Sequence, residues 1–246
     1  MDKIAIVGTG NVGTHLYRAM CAHGLQVDIF KARGLKSFNN NYNMIIIATK
    51  DSFIEYTASE IGNLLPEFNG IVIHCAGSIS SDILSGYFKY YGVMYPLQTF
   101  SKDIPIKNYS EIPIFIEGNT ELVKIKLLTI ASKISHHVLP LDSERRLKLH
   151  IASVFISNFV NAIYLMAEEL LNDSELSFDM MSKLIEQTTE KAIYYSPSLC
   201  QTGPAKRGDV EILEKHLHNL RKYPLHQAIY KMMSNYIFKK FNINNE

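Results

Sequence analysis

The chain opens on an apolar run, Lys3–Val7, and returns to such runs through its first half at Gln26–Phe30, Met44–Ala48, Ile71–Cys75, Gly92–Met94, Ile114–Glu117 and His137–Leu139. Each is short and rich in β-branched or aromatic residues. Several, such as Ile45-Ile46-Ile47, have no polar position, as expected of parallel strands covered on both faces. Between the runs, apolar residues recur with helical spacing, predicting helices at Val12–His23, Ser52–Leu64 and Thr120–Ser135. This alternation predicts an α/β, doubly wound sheet.

From Ser143 onward no strand run appears, and helical spacing predicts Ser143–Asn172, Ser177–Tyr195, Asp209–Arg221 and Leu225–Phe241. The expected division is an α/β domain over residues 1–141 and an all-α domain over residues 142–246. Leu139-Pro140-Leu141-Asp142 forms the junction, with Asp142 or Ser143 capping the next helix. The stretch Ile151–Ala167 is mostly apolar, but Ser153, Ser157, Asn158 and Asn161 interrupt it, so the reading is a buried helix and not a membrane span. Asn39-Asn40-Asn41 reads as a loop.

With 47% hydrophobic and 20% charged residues, the composition is that of an ordinary folded chain. A formal net charge of +1 gives no reason to expect nucleic acid or an anionic membrane as partner. The three cysteines are widely spaced, which argues against a disulfide framework or thiolate metal site and for a cytoplasmic setting. The nine histidines show no metal-binding spacing, and no metal is expected. The apolar residues of the later helices predict a homodimer through the helical domain.

Gly8-Thr9-Gly10-Asn11-Val12-Gly13 follows the first predicted strand and opens the first predicted helix, the setting that a dinucleotide-binding G-x-G-x-x-G requires. Gly8 permits the turn, Gly10 lets a pyrophosphate reach bare backbone, and Gly13 lets helix and strand pack closely. The helix start adds unpaired N–H groups and a partial positive charge. An acidic residue commonly holds the ribose about 20 residues after the motif. Here Asp28 lies inside the second strand, while Lys31 and Arg33 stand at its exit, where cations suit a 2′-phosphate. NADP(H) is therefore preferred, with NAD(H), held by Asp28, as the alternative. Strand exits face the ligand in open sheets, so Ala48, Thr49, Lys50 and Asp51, and Ala76, Gly77 and Ser78, are expected near ribose and nicotinamide. For Ser78 or Ser80 the competing role is a helix cap.

With these features in view, the chain resembles the superfamily of 6-phosphogluconate dehydrogenase and pyrroline-5-carboxylate reductase. More closely, it is similar to predicted NADP oxidoreductases that pair a Rossmann-like N-terminal domain with a C-terminal helical domain of unknown function, number 2520. The phrases carrying the likeness are His74-Cys75-Ala76-Gly77-Ser78, Tyr95-Pro96-Leu97-Gln98-Thr99-Phe100, the helix Leu149-His150-Ile151-Ala152 through Ser157-Asn158-Phe159, and Gln201-Thr202-Gly203-Pro204-Ala205-Lys206-Arg207-Gly208-Asp209. The resemblance implies a dimerising helical domain and a cleft between the domains for nicotinamide and substrate. Members of the superfamily commonly carry a proton-donating lysine on the first helix after the Rossmann domain. Here that stretch offers His150 and no lysine beyond Lys148.

At about 100° per residue, Arg146, His150, Ser153, Ser157 and Asn161 form one polar stripe on that helix. It either bonds to neighbouring helices or lines a pocket. In the second case His150 is the proton donor or carbonyl polariser, Asn158 orients substrate, and Gln98 contributes to substrate binding. Arg207 is either a solvated loop charge or a clamp for an anionic group, and Asp209 is a candidate helix cap. The expected function is NADP(H)-dependent transfer of hydride between nicotinamide and a carbonyl or imine carbon of a small substrate. The alternative is a dinucleotide-binding sensor or partner-binding protein without turnover.

Overall fold

A computed structural model describes residues 2–35, 39–172 and 174–242. Seven strands, β1 (Lys3–Val7), β2 (Gln26–Phe30), β3 (Met44–Ile47), β4 (Ile71–His74), β5 (Tyr90–Pro96), β6 (Ile114–Gly118) and β7 (Val138–Pro140), form one sheet in the order β2-β1-β3-β4-β5-β6-β7. The first five run parallel, β6 pairs antiparallel to β5, and β7 runs parallel to β6. The doubly wound α/β expectation holds, with β6 and β7 reversed relative to the other strands. Helices α1 (Asn11–Ala22), α2 (Ile54–Leu64) and α3 (Glu121–Ala131) connect the strands.

The continuous apolar strands are explained by cores on both faces of the sheet. Alternate residues of β1 and β3 divide between them: Ile4, Ile6, Met44 and Ile46 pack with Leu16 and Met20 of α1 on one face. Ala5, Val7, Ile45 and Ile47 pack with Ile54, Ala58 and Ile61 of α2 on the other. Because α1 leads to β2 on one side of β1 and the chain then crosses to β3 on the other, the strand order reverses between β1 and β3. That is the topological switch point where open sheets bind ligands.

The remaining helices are α4 (Ser143–Ile156), α5 (Asn158–Asn172), α6 (Ser182–Tyr195), α7 (Pro197–Cys200), α8 (Pro204–Arg207), α9 (Val210–Asn219) and α10 (Pro224–Asn242). Two expectations are corrected here. The helix predicted over 143–172 is interrupted at Ser157, whose φ of −123° and ψ of −71° leave the helical region. The Ser157 hydroxyl donates back to the Ser153 carbonyl at 2.7 Å, the kind of local competition that bends helices. The predicted burial of this stretch is also overturned: α5 has no buried residue, and Phe159, Ile163 and Leu165 are exposed. By length and composition alone, Ser143–Asn172 would suffice to cross a membrane.

By contact density the chain forms two compact units, Met1–Phe159 and Val160–Glu246. The first contains the sheet and α4. Asp142 caps α4 by accepting from the Arg145 amide at 2.8 Å, and Asp209 caps α9 by accepting from the Ile212 amide at 3.4 Å.

Candidate dinucleotide and substrate site

The glycine turn joins β1 to α1 with little room for side chains. Gly8 has a φ of +133°, and a Cβ there would lie 2.3 Å from the Ala48 carbonyl oxygen. A Cβ at Gly13 would lie 2.0 Å from the Gly8 oxygen, so helix and turn touch only because that atom is missing. Gly10, by contrast, faces open space. The result is a bare backbone surface at a helix N-terminus, above the switch point.

That surface lines a cavity of about 1010 Å³. Gly8, Thr9, Gly10, Asn11 and Val12 form its floor, Lys31 and Arg33 stand at the β2 exit, and Ala48, Thr49 and Lys50 come from the β3 exit. Phe53, Tyr56 and Thr57, which the sequence did not single out, supply a further wall. The Thr49 hydroxyl is buried and without a hydrogen-bond partner, so the cavity holds a polar group waiting for one. Lys31 and Arg33 are exposed and make no ion pair among the described residues. Asp28, the alternative ribose acceptor, is engaged elsewhere: it accepts from the Tyr42 hydroxyl at 2.8 Å and pairs with Lys3 at 3.3 Å. The hydrogen bond from Tyr42 lowers its pKa, and burial, reinforced by Asp28, pushes Tyr42 up to about 12.

A second cavity, about 500 Å³, shares Val12 with the first. Gly77, Gln98, His150 and Asn158 line it together with Tyr95, Asp51, Ser153 and Ser157. His150 Nδ1 lies 3.0 Å from the Tyr95 hydroxyl, and the two rings meet edge to face. A Cβ on Gly77 would come within 2.6 Å of His150 Nδ1 and 2.9 Å of Tyr95 Cζ. The β4 exit therefore needs glycine so that both rings can lie against its backbone. Burial raises the pKa of Tyr95, keeping its hydroxyl protonated. Ser78 donates to Asp51 Oδ2 at 2.5 Å, while Ser80 caps the following turn by accepting from the Asp82 amide. Cys75 also borders the cavity, but burial pushes its thiol up to about 12, so no nucleophilic thiolate is available.

Arg146 holds α4 in place. Though the stripe pattern offered it to a pocket, it is fully buried and ion-paired to Glu117 of β6. It also donates to the Ile79 carbonyl at 2.5 Å and to the Ser143 hydroxyl at 3.1 Å. Ser143 in turn donates to Glu117 at 2.8 Å. One helical turn later, His150 is thereby set against Gly77. His74 is fully buried, accepting from the Ala76 amide at 3.2 Å through Nδ1 and bonding to the Ser80 carbonyl at 3.3 Å through Nε2. Burial drives its pKa down to about 4, so it stays neutral. Arg207 is exposed at the end of α8, in the second compact unit, and lines neither cavity.

What the sequence could not reveal are the pairings: Tyr95, just past the strand expected at Gly92–Met94, meets a partner 55 positions away. Asp51, expected at a strand exit, meets Ser78 of another exit, 27 positions away.

The fold and its glycine turn define a Rossmann-type α/β protein with a helical C-terminal region. The chain belongs to the family described as domain of unknown function DUF2520, whose model matches residues 112–237. It is 32% identical to a candidate NADP oxidoreductase from Bacteroides fragilis, covering 97% of this chain and 98% of that one with a TM-score of 0.88. At 13% identity it shares its fold with a reductive aminase from Aspergillus terreus solved with NADPH and ethyl levulinate, over 98% and 95% of the two chains, TM-score 0.69. At 14% identity it matches a pyrroline carboxylate reductase from Plasmodium falciparum solved with NADP, over 97% and 100%, TM-score 0.54. No curated protein sequence matches the chain at a significant level.

Proposed function

We propose that this chain is an NADP(H)-dependent oxidoreductase acting on a carbonyl or imine carbon of a small substrate. The observation that carries the reading is the meeting of two cavities at Val12, one floored by the glycine turn and one walled by the His150–Tyr95 pair. The B. fragilis relative and the NADP-bound fold neighbours support the same class.

The residues present fit the cofactor. Gly10 leaves room for a pyrophosphate, and among the described residues the Thr49 hydroxyl lacks a partner and Lys31 and Arg33 make no ion pair, where a 2′-phosphate is expected. When bound, the nicotinamide supplies the hydride chemistry, and the protein supplies geometry and charge. With the Tyr95 hydroxyl donating to Nδ1, the His150 ring carries an N–H at Nε2. That N–H, which has no partner among the described residues, is the group to polarise a substrate carbonyl or give it a proton. Asn158 and Gln98, on the same cavity, orient the substrate. A homodimer formed through the helical unit, and a cytoplasmic setting, complete the reading.

Single-turnover oxidation of NADPH by a panel of aldehydes, 2-oxo acids and imines tests it. His150→Ala is expected to slow the hydride step about 100-fold while leaving NADPH binding intact. Tight NADPH binding with no turnover across the panel would assign a sensor instead.

A further inference from the structure

The charges around the second cavity narrow the substrate. Asp51 is the one carboxylic side chain among the residues that line it, and no lysine or arginine does. The other polar walls, including Tyr95, Gln98, Ser153 and Asn158, are neutral, and Leu97, Phe100 and Ile156 are apolar. Asp51 makes no ion pair among the described residues and accepts one short hydrogen bond, from Ser78. It opens the turn that leads into α2. Its charge acts on the buried Tyr95 and His74, whose pKa values are set first by burial, and on both groups Arg146 acts in the opposite sense and more strongly. Arg146 is ion-paired to Glu117, not to Asp51, and does not line the cavity.

We infer that the site selects a cationic substrate, an iminium or protonated imine on an apolar frame without carboxylate or phosphate, and that Asp51 is the selecting residue. This rests on the oxidoreductase reading. A carboxylate with no ion-pair partner among the described residues, on a small and partly apolar cavity, attracts an ammonium-type nitrogen and repels an anion. In the reaction, the iminium carbon accepts hydride from the nicotinamide C4 of NADPH. A C–H bond forms there as the C4–H bond breaks, and the C=N π pair moves onto nitrogen. The iminium becomes a neutral amine, NADPH becomes NADP⁺, and no proton is transferred. A carbonyl substrate would need a proton on oxygen as well.

The test uses a cation and an anion of matched shape, cyclohexylamine and cyclohexanecarboxylate, titrated by calorimetry into the full-length protein at neutral pH. Wild type is expected to bind the amine about tenfold more tightly than the carboxylate. Asp51→Asn keeps an oxygen for Ser78 and is expected to bring that ratio close to one, while Asp51→Glu retains it. Equal binding of the two probes by wild type, or an unchanged ratio in Asp51→Asn, overturns the inference, and the wild-type comparison decides even if a variant does not fold. NADPH oxidation with 2-methyl-1-pyrroline and 2-oxobutanoate supplies the second readout. A wild-type preference for the imine that falls about tenfold in Asp51→Asn supports the assignment, and a preference for the oxo acid overturns it. Absence of NADPH oxidation with either compound counts against the oxidoreductase reading, while the probe titration still decides whether Asp51 selects charge.

Discussion

The two compact units treat their apolar residues in opposite ways. In Met1–Phe159 the sheet strands are walled in on both faces, and Ile4, Ile6, Met44, Ile45, Ile46 and Ile73 are wholly buried. In Val160–Glu246, Ala205 is the sole buried hydrophobic residue among those described, and α6, α9 and α10 bury none. Exposed there are Ile193 at 72%, Leu199 at 76% and Met232 at 70%. Amphipathic helices of this kind form half of a core and bury it only against another surface. The first unit holds both cavities, whereas the second offers a face to be covered, which a second copy of the chain would satisfy.

The sharpest break is expected at the glycine turn. In Gly13→Ala the new methyl would sit 2.0 Å from the Gly8 carbonyl oxygen, a backbone atom that cannot swing aside. The helix start must move, and with it the phosphate surface. NADPH affinity should fall at least about 100-fold, and urea unfolding should show a loss of about 3 kcal/mol or more. Calorimetry showing affinity within threefold of wild type would mean that the turn has slack the packing does not indicate.

Next in size is the acid sensitivity of the first unit's core. His74 has its pKa driven down to about 4 by burial, against an unfolded value near 6.5. Between those values the unfolded chain binds more protons than the folded one, so stability rises with pH across this window. The contribution, about 3 kcal/mol, is complete above pH 6.5 and lost progressively toward pH 4. Carboxylates elsewhere add their own acid dependence, so the measurement is a difference: His74→Gln should flatten the stability slope from pH 4 to 6.5 relative to wild type. Parallel slopes would place the burial cost elsewhere.

The second unit gives the next test. Ile193→Glu and Met232→Glu each put a charge on its exposed apolar face. If a second copy covers that face, sedimentation velocity should show the dimer weakened about 100-fold, roughly the effect of losing one buried anchor. Leu122→Glu, on the exposed side of α3 in the first unit, should leave the oligomeric state unchanged. Equal effects from both regions would erase the contrast between them.

The same contrast explains what could be read in advance. Strands buried on both faces announce themselves as apolar runs, and a glycine turn between strand and helix announces itself by spacing, so the sheet and the Gly8–Gly13 surface were legible. Tertiary pairing is not periodic. Arg146 and His150 share one helical stripe, yet the first is consumed by Glu117 and the second borders a cavity, a division set by β6 and not by α4. The interruption at Ser157 was hidden for a related reason. A serine inside an apolar helix looks tolerable until its hydroxyl turns back onto Ser153. Asp51 was legible as a strand-exit residue, but its pairing with Ser78, like that of Tyr95 with His150, arose only when separate elements converged.

The smallest predicted effect bears on which nucleotide the first unit takes. Asp28 is held by Tyr42 and Lys3, so it is poorly placed to serve a ribose, while Lys31 and Arg33 stand exposed on the cavity edge. An exposed cation gains only modestly from one phosphate, because water screens the pair. Lys31→Ala and Arg33→Ala should therefore each weaken NADPH about tenfold and leave NADH within about twofold, with the NADPH loss shrinking as salt is raised. Because both residues border the first cavity and lie far in sequence from the exposed helices, self-association through those helices should be unaffected if it occurs. Tighter binding of NADH than NADPH by wild type would instead hand the ribose to Asp28, and it would require the Tyr42 hydrogen bond to open when the nucleotide arrives.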